Sequence, residues 1–341
     1  MRKNIIFIID AQKSASGGGK KIYEYSNYIN SLKNYSSEVI HIKKKKIIKW
    51  KQSLQKFFNI GAQKKYSGWQ YEEIEAVKNH FFSWFDINIK IKNNLNFNKE
   101  KDIVILPEIF AHFGVELKKL KVEYLIFMQN PYAIFPTNNF KYLNQAYENA
   151  KFVLYYSKEM KKGLLKAFPK IKNNLFKTQT SIDSRKLKYK KKLNIITYMP
   201  RKLPLHSYLV VNYLRNYLPK KWKLETINNL DEQQTFMKLK KSKIFLSFSF
   251  LEGLGMPPLE AGIAGNKVIG YTGEGGKEYW KEPIYTEIHQ GNIFDFCNKI
   301  IKNLDNKNFL KKSIMQRKKI IEIYSKKKEQ DKINELLHKI S

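Results

Sequence analysis

The sequence predicts two α/β domains, each built on a doubly wound parallel sheet, on three observations. Short continuous apolar runs alternate with segments of helical period, as βαβ units require. The alternation stops at a charge-dense segment, residues 184–192 (SRKLKYKKK), and then starts again. The 341 residues suffice for roughly two domains at about 150 residues each. Strands covered on both faces read as unbroken apolar runs, which fits parallel pairing.

The first element is the run Ile5-Ile6-Phe7-Ile8-Ile9, followed by Ser16-Gly17-Gly18-Gly19 and then by Ile22, Tyr25, Tyr28, Ile29 and Leu32 at helical spacing. This is a strand, a glycine loop and a helix. Further strands are predicted at 102–106 (DIVIL), 124–128 (YLIFM) and 152–156 (FVLYY). Residues 43–65 are Lys-rich with Trp50, Leu54, Phe57 and Phe58 on one helical face, fit either to pack on the domain, the favoured reading, or to lie on a membrane. Beyond the linker, strands are expected at 194–198, 223–227, 243–248 and 267–271, with helices at 204–218, 230–241, 257–265 and 291–303. The expected division is 1–184, 185–325 and a C-terminal helix over 326–341. Ligands of open α/β sheets gather at the strand carboxyl ends, so the site is expected between the two domains.

Hydrophobic residues at 43% and aromatics at 14% mark a folded chain rather than a disordered one. The net charge of +34 points to a polyanion partner, nucleic acid or an anionic membrane. Two observations weaken that inference. Arginine, which reads guanine edges and clamps phosphates, occurs only at 2, 185, 201, 215 and 317, and 32 basic against 15 acidic residues fall on each side of residue 184. The excess is lysine spread evenly, a compositional bias, and a nucleic-acid partner is not expected. The lone Cys297 forms no internal disulfide, the first apolar run is too short for a signal peptide, and no run reaches the ~18 apolar residues of a membrane span. The expectation is a cytoplasmic protein, with peripheral contact to an anionic membrane as an option.

The most specific string is 251–265, LEGLGMPPLEAGIAG, directly after the strand run IFLSFSF. Gly253 and Gly255 flank Leu254 and let backbone N–H groups approach a ligand, while Pro257-Pro258 opens a helix whose N-terminus favours a phosphate. Glu260, read as lying in that helix's first turn, has the chemistry to accept both hydroxyls of a ribose, and Glu252 on the loop reaches a second polyhydroxylated group. At 195–202, IITYMPRK sets Arg201 and Lys202 at a strand's carboxyl end, where the guanidinium fork suits a diphosphate. The triple glycine 17–19 matches neither GxxxxGK[ST] nor GxGxxG. Gln129-Asn130-Pro131 ends another strand, where the amides suit sugar hydroxyls and Asn-Pro equally suits a plain turn. Glu108, with His112 nearby, follows DIVIL as a further strand-end candidate for a sugar or acceptor contact, and Ser157 follows FVLYY, placed to cap a helix. No DxD or clustered metal ligands stand out, so no metal is expected.

The string EGLGMPPLEAGIAG, its glutamates separated by seven residues, resembles the signature of the family 4 glycosyltransferases, with Leu254 and Gly262 where Phe and Met are usual. The segment 268–279, VIGYTGEGGKEY, resembles that family's next strand and glycine-rich loop. The resemblance implies the GT-B architecture, two Rossmann-like domains facing each other across a cleft, and a hexosyltransferase-like retaining activity. The donor is then a nucleotide-diphosphate sugar, with no separate cofactor, and the acceptor a glycan, a lipid-linked glycan or another hydroxyl compound. It implies that Glu260 binds the ribose, Glu252 contacts the donor sugar, Arg201 and Lys202 neutralise the diphosphate, and Gly18 and Gly19 close over phosphates or admit the acceptor. Many members carry His where Gln129 stands, and many space the basic pair that is adjacent here. Two other readings stay open: a basic polyanion-binding protein and a sugar-nucleotide epimerase of the same fold.

Overall fold

A computed structural model describes residues 2–11, 16–45, 69–78, 88–189, 191–306 and 308–341. The basic amphipathic stretch predicted over 43–65 lies, from residue 46 on, outside the described residues. The chain forms two compact units. Unit 1 comprises Met1–Tyr156, Met160–Thr178 and Lys332–Ser341, and unit 2 comprises Ser157–Glu159 and Gln179–Asp331.

Unit 1 carries seven strands: β1 (Lys3–Asp10), β2 (Tyr35–Lys44), β3 (Ile74–Ala76), β4 (Asp102–Pro107), β5 (Glu123–Phe127), β6 (Val153–Tyr155) and β7 (Leu175–Lys177), in the order β3-β2-β1-β4-β5-β6-β7. All pairs are parallel except the edge pair β2–β3. Successive residues of β1 alternate between two cores, Ile6 and Ile8 with Val104 and Ile126 on one face, Ile5, Phe7 and Ile9 with Ile103 and Leu125 on the other. Both faces are covered, which is why β1, β4 and β5 read as largely unbroken apolar runs. The second core is completed by Ile333, Leu336, Leu337 and Ile340, from the end of the helix Lys326–Ile340.

Unit 2 carries β8 (Leu193–Tyr198), β9 (Lys223–Thr226), β10 (Ser242–Glu252), β11 (Lys267–Glu274) and β12 (Tyr285–Glu287), in the order β12-β11-β10-β8-β9, all parallel. Helices Pro204–Arg215 and Ile293–Asn303 pack Val210, Leu214, Phe296 and Ile300 on one face of this sheet, against Ile196, Leu246 and Phe248. In each sheet the strand order reverses once, between β1 and β4 in unit 1 and between β8 and β10 in unit 2. The carboxyl ends beside those reversals are where a crevice forms in this architecture. The predicted site residues sit at or beside them.

Candidate functional site

In unit 2 the two strands flanking the reversal end in the two strings singled out from sequence. After β8 come Met199, Pro200, Arg201 and Lys202, with the following helix starting at Pro204. β10 ends at Glu252, and Gly253, Leu254 and Gly255 lead into the helix Met256–Ile263. Lys202 Nζ lies 3.1 Å from Glu252 Oε1, both side chains partly exposed, so the structure joins the basic pair to the first glutamate across the reversal.

Glu252, expected on the loop, is the last residue of β10, and the ends of β10 and β11 and the loop between β10 and the helix are held in an unusual backbone. Leu251 and Glu274, neither a glycine, have φ of 47° and 67°, and Gly255 has φ of 80°. Left-handed conformations in non-glycine residues cost energy and persist where surrounding packing imposes them. Here the packing is visible. The buried Tyr279 Oη donates to the Gly255 carbonyl at 2.6 Å, and Ser157 Oγ donates to the Gly253 carbonyl at 2.5 Å. A Cβ on Gly275 would lie 2.3 Å from the Gly253 carbonyl oxygen, so only glycine lets the two loops meet. Sequence reasoning does not single out Tyr279; the available signal is the GEGG string, which marks a close loop approach but not which side chain fixes it.

The place of Glu260 in this helix is corrected. Glu260 is not in the first turn: the helix begins at Met256, so Glu260 is its fifth residue and stands half-buried in the second turn. Two of the first three positions, Pro257 and Pro258, have no N–H, which leaves Met256 as the only one of those three with a backbone donor. The free backbone donors at this end therefore belong to the Gly253–Leu254–Gly255 segment more than to the helix terminus. Leu254 is buried with its side chain in the interior, so any ligand contact from it is through its backbone.

In unit 1 the predicted residues form a second connected cluster. Glu108 follows β4 and is 5% exposed; its Oε2 accepts from Gln129 N at 3.1 Å and its Oε1 from Asn130 N at 3.0 Å. Burial pushes its carboxyl up to about 7, against the opposing pull of those backbone N–H groups. The Gln129 amide donates from Nε2 to the Gly18 carbonyl at 3.1 Å, and a Cβ on Gly18 would lie 2.1 Å from Gln129 Oε1. Ser16 caps the helix Gly17–Asn30 by accepting from Gly19 N at 3.0 Å. The Asn130 side chain accepts from Tyr132 N, which is the turn-forming role. His112 is buried: Nδ1 meets Asn138 Oδ1 and Nε2 meets the Trp69 carbonyl, each at 2.8 Å, and burial lowers its pKa. Asn138, which sequence reasoning misses, also donates to the Glu108 carbonyl at 2.7 Å and so braces the β4 turn.

Among the described residues no group of three or more His, Cys, Asp or Glu side chains is arranged to hold a metal ion, and no helix is long and apolar enough to cross a membrane.

No family model matches the chain, and no curated protein matches it. Solved structures do. Sucrose-phosphate synthase from Thermosynechococcus elongatus superposes with a TM-score of 0.64 at 10% identity, covering 99% of both chains. Anabaena Alr3699/HepE in complex with UDP-glucose gives a TM-score of 0.64 at 11% identity over 98% of this chain and 99% of that one. TarM gives 0.51 at 15% identity over 71% of this chain, which spans 55% of TarM's length. These are GT-B proteins, and the likeness over full-length chains establishes the GT-B fold here.

Proposed function

We propose that this chain is a glycosyltransferase of the family 4 type that moves a sugar from a nucleotide-diphosphate donor to a hydroxyl acceptor with retention. The observation that carries the reading is the Lys202–Glu252 pair at the β8/β10 reversal, beside a glycine loop held in a strained backbone. Cationic and backbone donors there suit the charge that grows on a departing diphosphate. HepE, which shares the fold at 11% identity, is in complex with UDP-glucose, so uridine diphosphate sugars head the candidate donors.

In this reading Arg201, Lys202 and the N–H groups of Gly253 to Gly255 stabilise the leaving diphosphate, Glu252 contacts the donor sugar and Glu260 the ribose. Gly18 and Gly19 adjoin the phosphates or admit the acceptor, and Gln129 and Asn130 meet sugar hydroxyls, with Glu108 fixing their backbone. The bond from the anomeric carbon to the phosphate oxygen breaks as the acceptor oxygen attacks the same face, and the acceptor proton passes to the leaving phosphate. No step draws on a metal. The acceptor class is a glycan or lipid-linked glycan, met in the cytoplasm.

The test is incubation of the purified chain with a panel of nucleotide sugars and oligosaccharide or lipid-linked acceptors, with and without EDTA, followed by mass spectrometry. The reading expects nucleoside diphosphate release matched by one added sugar, unaffected by EDTA. Conversion of the donor to its epimer with no acceptor product would replace it by the epimerase reading.

A further inference from the structure

The chain holds 59 lysines, yet residues 203–219 (LPLHSYLVVNYLRNYLP) contain none, and no Asp or Glu occurs from 201 to 224. This stretch spans the helix Pro204–Arg215, whose Ser207, Val210, Val211 and Leu214 face the core of unit 2. Its opposite face is not the charged surface that the rest of the chain would predict. Leu205 is 65% exposed, Tyr208 66%, Tyr213 47% and Tyr217 67%. Leu205, Tyr208 and Tyr213 lie on the side of the helix away from its buried residues, and Tyr217 follows two residues past its end. Phe294, 66% exposed on the neighbouring helix Ile293–Asn303, meets the Tyr213 ring at 5.3 Å between centroids and extends the patch across two helices. Single exposed apolar side chains are ordinary, but a contiguous patch marks an interaction surface.

We propose that this face of unit 2 is a docking surface for an anionic membrane. The side chains are those of an interfacial anchor: tyrosines with an apolar ring and a polar tip, beside Leu and Phe. At and beyond the end of the helix stand Arg215, Lys220, Lys221 and Lys223, a margin in which Lys221 pairs with Asp305 at 3.7 Å and which keeps a net positive charge complementary to acidic headgroups. The one acid next to Phe294 in sequence is Asp295. Evenly spread lysine would draw the whole chain weakly to any anionic surface. The aromatic face adds a fixed orientation, and it does not depend on the proposed catalytic reading.

The test uses the full chain with vesicles of phosphatidylcholine alone or with phosphatidylglycerol, at low and high salt. A triple variant, Tyr208→Ser/Tyr213→Ser/Phe294→Ser, is compared with a charge control, Lys318→Gln/Lys319→Gln/Lys327→Gln. Partial burial of three rings makes at least about a tenfold loss of vesicle affinity the expected result for the aromatic variant, with its thermal midpoint unchanged, and a smaller loss for the control. Because a folding defect would also weaken binding, a second reporter, Tyr208→Trp, reads insertion as the difference from the wild type, whose five tryptophans set the baseline: the added emission moves to the blue and is quenched by brominated lipid. Vesicle affinity unchanged in the aromatic variant, or binding without any change in the emission of the Tyr208→Trp reporter, would overturn the proposal. So would sedimentation showing that the patch instead joins two copies of the chain.

Discussion

At the carboxyl end of the unit 1 sheet a buried carboxyl, Glu108, is held by two backbone N–H groups, while at that of unit 2 a partly exposed ion pair, Lys202–Glu252, stands beside a strained glycine loop. Both ends follow one rule of doubly wound sheets, yet their chemistry differs. The unit 1 cluster is a closed network in which Glu108 fixes Gln129 and Gln129 reaches Gly18. Such a network offers shape and neutral hydrogen bonds, the requirements for sugar hydroxyls. The unit 2 cluster keeps charge near solvent and orders its loop by packing on Tyr279 and Gly275, the requirement for a ligand that arrives with charge of its own. The same fold thus supplies rigidity at one end and electrostatics at the other.

The largest expected effect tests the electrostatic end. Arg201→Ala should lower turnover by about 10²–10³-fold, as loss of one donor to a developing charge does, with a smaller change in donor affinity. Steady-state kinetics with the donor varied at saturating acceptor reads the two separately; a raised donor KM with turnover unchanged would make Arg201 a binding residue only.

The next tests the closed network. Glu108 has a folded pKa of about 7 against an ordinary 4.5, so its contribution to stability is full below pH 4.5 and is lost as pH rises through 7. That amounts to about 3 kcal/mol across the window. Denaturant titrations from pH 4.5 to 8 should show that fall in the wild type and a flatter profile in Glu108→Gln; equal slopes would mean that Glu108 titrates as an ordinary carboxyl.

Smaller effects separate structure from function at each end. Gly18→Ala forces the Gln129 amide aside, costing about 1 kcal/mol for the lost hydrogen bond, while alanine regains a similar amount of helix propensity. Its melting temperature should stay near that of the wild type while KM for the acceptor rises several-fold, about what a lost contact of ~1 kcal/mol gives. Lys202→Ala removes a pair screened by solvent, so stability should change by less than about 1 kcal/mol while activity falls. A stability loss larger than that would assign the pair to the scaffold instead.

Much of this is legible in the sequence because it depends on local pattern. Runs such as Ile5–Ile9, DIVIL and IFLSFSF are strands since both faces of each sheet are covered, and Pro204 announces a helix start. β2 escapes pattern reading because Ser36, Ser37, His41 and its terminal lysines break the apolar run, and β3, β7 and β12, at three residues each, are too short to show a period. The first turn at Met256 is misread because proline conventionally marks helix position one, while here Gly255 in a left-handed conformation lets the helix begin a residue earlier. The contacts that tie each cluster together join residues far apart, Gln129 with Gly18 in unit 1 and Tyr279 with Gly255 in unit 2, and no local pattern encodes them. The packing of Leu336 and Leu337 into the core of unit 1 is equally non-local: the helix pattern is plain, its destination is not.

The central claim is that the β10 loop and the helix after it bind a nucleoside diphosphate, with Glu260 on the ribose. Calorimetric titration of the wild type and of Glu260→Ala with UDP, GDP, ADP and their sugar derivatives tests it most directly. The account predicts saturable one-to-one binding of one base series, weakened at least about tenfold in Glu260→Ala as expected for the loss of a charged hydrogen-bond acceptor. Binding of no nucleotide by the wild type, or affinity left unchanged by the substitution, would contradict it.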